Sequence, residues 1–162
     1  MYRVYIFYLY YVNLFSQNTI QNILPFDGEV IYHGAIFTQK ESEAHYKNLL
    51  KHIPWQNDEA IIFGKHHITK RKVAWFGDKA YNYKYSGITK QAHLWTPNLL
   101  RIKQKVEELS STTYNSCLLN LYHDGAEGMG WHSDAEKTLL ENGTIASITF
   151  GAERKFSFKH KV

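Results

Sequence analysis

At 162 residues the chain suits one domain, and its apolar share of 44% is enough to bury a real core. A net charge of +4 and a pI near 9.0 give a mild basic bias that fits a polyanionic partner. A lone cysteine, Cys117, excludes an internal disulfide, and a reducing, cytoplasmic setting is the expectation.

The first residues, MYRVYIFYLYYV, are too short to span a bilayer, which takes roughly 18–20 apolar residues. With only Arg3 as a basic residue and no small-residue cleavage site, they do not read as a secretory signal either. They read as an atypical extension over 1–15, either an added strand or a mis-assigned start, ahead of one domain over 16–162. No membrane partner is expected.

A turn at Pro25–Gly28 leads into a strand over about 29–36. Thr38 and Glu41 stand at capping-box spacing, and Ala44, Leu49, Leu50 and Ile53 form the apolar stripe of the helix that follows. Tyr81, Tyr83 and Tyr85 alternate on one side of a strand that Gly87 ends. A second helix opens with Thr96 as N-cap and Pro97 at its first position, with Leu99, Ile102, Val106 and Leu109 on one face. In SCLLNLY, Leu118, Asn120 and Tyr122 share one strand face, and Cys117, Leu119 and Leu121 the other, where Cys117 reads as a small core residue. Two short strands follow, about 144–150 and 155–159, hinged at Gly151. Helices first and strands towards the end predict an α+β fold.

The chemistry concentrates in GMGWHSDAEK. If this stretch is extended, His132 and Asp134 point the same way and can grip one ion from one side. Imidazole nitrogen with carboxylate oxygen suits non-haem Fe(II), provided that a second histidine completes a facial triad. On spacing alone the pair is a weak signal, and a surface His and Asp is the competing reading. Gly125, Gly128 and Gly130 supply a flexible approach.

The run NSCLLNLYHDGAEGMGWHSDAEK, followed by IASITFGAERKFSFKHK, resembles the AlkB family, the Fe(II)- and 2-oxoglutarate-dependent oxygenases that repair alkylated bases. The resemblance extends back through IIFGKHHITKRKVAWFGD and YKYSG, covering about residues 20–161, and is closest to the branch that repairs duplex DNA. It implies a double-stranded β-helix (jelly roll) with N-terminal helices and a nucleotide-recognition lid. It implies His132 and Asp134 as iron ligands, and Asn120 and Tyr122 as contacts to 2-oxoglutarate, with O2 as the third reactant. Phe63, flanked by Gly64 and Lys65, matches a finger that wedges into the base stack. Tyr83, Tyr85 and Ser86 match the lid, Glu136 an acidic residue near the substrate base, and Lys159 a contact to the opposite strand. Ala135 stands where some relatives carry Asp.

The family's second iron-binding histidine and its 2-oxoglutarate arginine follow further downstream. His160 matches the basic KHK segment instead, so the jelly roll is expected to be incomplete at its C-terminal side and the chain to have little or no activity as it stands. DNA is the expected partner, with RNA as the second candidate, and a monomer is expected.

Between Lys65 and Lys90 seven cations (65, 70, 71, 72, 79, 84, 90) face one acid, Asp78, interleaved with Trp75, Phe76 and Tyr81–Tyr85. Lysines for phosphates beside rings for bases suit nucleic acid, while a solvated face over a tyrosine-rich strand is the bland reading. By itself the Ile61–Ile62–Phe63 run reads as a buried strand. Two other functions compete with a repair oxygenase. A non-catalytic nucleic-acid-binding remnant would use only the basic, aromatic half. A cupin-like metal protein with a small substrate would leave the Phe63 segment and the Lys70–Lys72 run unexplained.

Overall fold

Two caps fix where the helices begin. Glu41 accepts from the Thr38 backbone N–H at 2.8 Å while Thr38 Oγ1 accepts from Glu41 N–H at 3.3 Å, a reciprocal capping box that opens α1, Gln39–His52. Thr96, in extended backbone, accepts from Leu99 N–H at 3.2 Å and opens α2, Pro97–Ser110, with proline at its start. Ser111, in the left-handed conformation, ends α2. Leu99, Ile102 and Val106 are buried as their spacing predicts. In α1 the expectation is only partly met, for Leu49 is buried but Leu50 is exposed.

The computed structural model describes residues 3–7, 21–62, 64–85, 88–134 and 139–160, with 3–7, 60–62, 83–85 and 88–90 described by backbone alone. The chain divides into two units, one formed by 1–47 with 134–162 and the other by 48–133.

In the first unit, β1 (Arg3–Phe7) lies between β2 (Glu29–Tyr32) and β9 (Thr144–Ile148), parallel to both. β2 is shorter than the strand expected over 29–36, and it buries Val30 and Ile31. Phe37 packs at 4.7 Å from His45 and stacks at 6.0 Å on Phe150. Gly151 has φ +89°, and a Cβ there would meet the Tyr46 ring at 3.1 Å, so only glycine fits this bend. The strand expected at 155–159 does not form: residues 153–160 carry no regular structure. Alternating aromatics there invite a strand, but among the described residues no neighbouring strand completes a ladder, and Phe156 and Phe158 pack on each other at 5.1 Å instead.

In the second unit, β4 (Lys65–Gly77) is the spine. It pairs antiparallel with β3 (Gln56–Ile62) and β8 (Ser116–Leu121), and parallel with the short β7 (His93–Leu94). β5 (Asn82–Tyr85) and β6 (Ile88–Gln91) form a separate hairpin. Alternation sorts the faces of the sheet. Ala74 and Phe76 point to one side and are buried, Phe76 at 2% exposure. Arg71, Val73 and Trp75 point to the other. The mixture of strands and two helices is the α+β class expected from the sequence.

Candidate functional site

On the face of β4 that carries Arg71, Val73 and Trp75, register brings Val73 opposite Asn120 and Trp75 opposite Leu118. The alternation predicted for β8 is present: Leu118 and Asn120 are exposed, Cys117, Leu119 and Leu121 less so. Leu118 is 55% exposed, well above what an apolar residue on a covered sheet face would keep. Beside it opens a cleft of about 260 Å³ lined by Gln56, Val73, Trp75, Gln91, His93 and Leu118. Cys117 lies on the opposite face, and burial pushes its thiol up to about 12, so it is no nucleophile near neutral pH.

Asn120 is held. Arg71 donates from Nη1 to Asn120 Oδ1 at 2.5 Å and from Nη2 to Asp58 Oδ2. Both ionic side chains are nearly buried, about a tenth exposed. The contact depends on a β-bulge: Asn57 pairs with Lys72 and Glu59 with Ile68, so Asp58 faces the three residues Thr69, Lys70 and Arg71. Asn57 Nδ2 donates to the Thr69 carbonyl at 2.7 Å, and Thr69 Oγ1 donates to the Arg71 carbonyl at 2.8 Å, fixing the irregularity. This corrects the reading of Arg71 as part of a phosphate-facing run. Lys70 beside it is exposed, but Arg71 is 7% exposed and its charge is matched by Asp58.

Tyr122 stands just beyond β8, at the start of the loop that carries the His-x-Asp pair. That loop is tied by its own side chains. Glu127 accepts from the His123 backbone N–H at 2.9 Å and from its ring at 3.0 Å, and Asp124 accepts from Ala126 N–H at 2.8 Å. The hydrogen bond from the His123 backbone holds the Glu127 carboxyl below the usual carboxylate range. Gly125, Gly128 and Gly130 have open space where a Cβ would sit, and none takes a positive φ, so loop order rests on the carboxylates.

His132 and Asp134 are exposed and lie in irregular backbone, so the extended strand expected there is absent. The division between the two units falls between Ser133 and Asp134. His132 Nδ1 lies 2.9 Å from the Gly130 carbonyl oxygen. That oxygen can only accept, so Nδ1 carries the proton and, in the neutral ring, Nε2 carries the lone pair. This is the tautomer in which a metal-binding imidazole is usually held. The donor types present therefore fit two positions of an iron(II) site and, through Asn120 and Tyr122, a dicarboxylate contact. Among the described residues no group of three or more His, Cys, Asp or Glu gathers to hold a metal. His160 is engaged elsewhere, 3.0 Å from Asp27 and edge-on to Phe26.

Of the nucleic-acid-facing expectations, Gly64 and Lys65 are placed at the β3–β4 hairpin. Ile62 pairs with Lys65, leaving two residues for the connection, and Gly64 has φ +74°. Phe63 lies outside the described residues, as do Ser86 and Glu136. Tyr83 and Tyr85 are in the backbone register of the β5–β6 hairpin, opposite Lys90 and Ile88. Lys159 is exposed in the irregular C-terminal stretch. No described helix is long and apolar enough to cross a membrane.

Sequence reasoning missed Asp58, and with it the role of Arg71. The available signal was weak: a buried-strand position just after Trp55–Asn57 occupied by an acid, with its partner thirteen residues on.

The chain matches the model of the 2OG-Fe(II) oxygenase superfamily over residues 28–162. It is similar to the DNA oxidative demethylase ALKBH2 of Mus musculus, 35% identical over 129 residues that cover 78% of this chain and 54% of that protein. It is also similar to the alpha-ketoglutarate-dependent dioxygenase alkB homolog 3 of Bos taurus, 34% identical over 75% of this chain and 42% of that one. The ALKBH2 of Arabidopsis thaliana is 30% identical over 90% of this chain and 47% of its own length. The chain spans about half the length of these relatives. The AlkB resemblance read from the motifs is borne out.

Proposed function

The chain belongs to the 2OG-Fe(II) oxygenase superfamily, and from there we propose that it carries the recognition half of an enzyme that oxidatively removes alkyl groups from DNA bases of the 1-methyladenine and 3-methylcytosine type. The observation that carries this reading is the ordered set Asn120-x-Tyr122, then His132-x-Asp134, with Asn120 exposed on β8 and fixed by Arg71. His132 and Asp134 would hold iron(II), and Asn120 with Tyr122 would contact 2-oxoglutarate. When bound, iron and 2-oxoglutarate supply the O2-dependent oxidation of the alkyl carbon, chemistry that belongs to the cofactor.

The chain's own residues position the substrate. A target atom inside the stack is unreachable, so the base must be flipped out. In this reading Phe63 fills the gap left by the flipped base, with Gly64 allowing the tight β3–β4 turn and Lys65 there to meet phosphate. Tyr83, Tyr85 and Ser86 form the lid, Glu136 reads the base, and Lys159 touches the opposite strand.

The test is an anaerobic Fe(II) titration with 2-oxoglutarate, read by the visible charge-transfer band of the ternary complex, beside salt-dependent binding to a 1-methyladenine duplex. A saturating band that His132→Ala abolishes supports the reading. Duplex binding that ignores iron, with no band from folded protein, overturns it in favour of a nucleic-acid-binding remnant.

A further inference from the structure

Asn120, the register partner of the cleft-lining Val73, carries more structure behind it than an exposed strand residue requires. Its side-chain oxygen accepts from Arg71 at 2.5 Å, and Arg71 is held in turn by Asp58. Arginine has donors only, so the atom of Asn120 that meets it must be the oxygen, whichever way the amide might otherwise turn. The amide nitrogen, with its two N–H donors, is thereby directed away from Arg71. Burying two charges to fix one amide is costly unless the geometry repays it. Here the β4 bulge, held by Asn57 and Thr69, is what brings Asp58 and Arg71 together.

We infer that Asp58 and Arg71 are positioning residues that lock the Asn120 amide with its N–H donors towards an incoming oxyanion, such as a carboxylate of 2-oxoglutarate. The inference rests on the reading of Asn120 as a cosubstrate contact and adds how that contact is set. Because Asp58 matches the Arg71 charge, the guanidinium does not itself compete for the anion. It acts through Asn120 alone. The device selects an acceptor-rich ligand: a group that donates at this point would meet two N–H donors.

The experiment uses the 162-residue chain with Mn(II) in place of iron and follows 2-oxoglutarate binding by titration calorimetry. Arg71→Met and Asn120→Ala are each expected to weaken binding about tenfold, the scale of one charge-assisted hydrogen bond. The double variant is expected to be no weaker than Asn120→Ala, because Arg71 has no route to the ligand except through Asn120. Asn120→Asp keeps an acceptor for Arg71 but loses the donors, and is expected to bind more weakly than Asn120→Ala. Arg71→Lys keeps the charge against Asp58, and so the fold, while losing the fork that reaches Asn120; it too should weaken binding. Additive losses in the double variant, or unchanged binding in Arg71→Lys, overturn the positioning role. A wild-type chain that binds no 2-oxoglutarate overturns the cosubstrate reading instead. The lock is then judged without ligand, from the Asn120 side-chain amide signals in nitrogen-15 spectra: a shift in Arg71→Lys supports it, and unmoved signals overturn it.

Discussion

Asn120 and His132, twelve residues apart, are held in opposite ways. Asn120 sits in a regular ladder and is fixed from a distance, by an ion pair whose members come from β3 and β4. His132 sits in irregular backbone and is fixed locally, by the carbonyl of Gly130 two residues before it, in a loop tied by Glu127 and Asp124. A contact set by the sheet is only as mobile as the sheet, whereas a loop can re-form around what it binds. The difference makes the Asn120 side chain pre-organised by the sheet and leaves His132 on a segment that can adjust.

The comparison breaks most severely at Asp58. Asp58→Ala leaves the Arg71 charge buried and unmatched, and the expected loss is about 3–5 kcal/mol of unfolding free energy, read by urea titration. Adding Arg71→Met should recover most of it, since no charge is then stranded. A His132→Ala variant should leave unfolding nearly unchanged, because that ring is exposed and locally bonded.

A smaller effect concerns the back of the same strand. Burial raises the Cys117 thiol from its ordinary 9.0 to about 12. The unfolded thiol ionises first, so the folded state binds more protons above pH 9 and its stability falls as pH rises. At pH 10 the loss is about 1 kcal/mol, and Cys117→Ala should remove that slope from denaturation curves taken between pH 8 and 10. Asn57→Ala, which removes one support of the bulge, should cost about 1 kcal/mol and loosen the Asn120 amide signals.

The smallest effect is in the loop. The Glu127 carboxyl is depressed by hydrogen bonding to His123, so its contribution is present above the ordinary carboxylate value and is lost as pH falls through the lowered one. The protection factor of the His123 amide, its exchange rate relative to the intrinsic one, should fall on acidification, and Glu127→Gln should blunt that change while leaving global unfolding unmoved.

Both helix starts were legible in the sequence because capping is local: Thr38 with Glu41, and Thr96 before Pro97, span four residues or fewer. The two faces of β8 were legible because strand alternation needs no partner to be read. The Arg71 contact was not. TKRK reads as a solvated basic run, and only a bulge set by pairing with β3 turns its arginine inwards. The strand expected at 155–159 failed for the converse reason: the residues suit a ladder, but pairing is a tertiary property. The candidate site residues came from the family resemblance, and of these Phe63, Ser86 and Glu136 lie outside the described residues.

The central place of β1 also fixes an order of assembly. Its register partners on β9 lie almost the full length of the chain away, and among the described residues β2 and β9 meet only through it. During synthesis that three-stranded sheet cannot close until residue 148 has left the ribosome, whereas β3, β4 and β8 are all made earlier. In nascent chains arrested at increasing length, β3, β4 and β8 should therefore gain protection first, and β1, made first, should be among the last to be locked in.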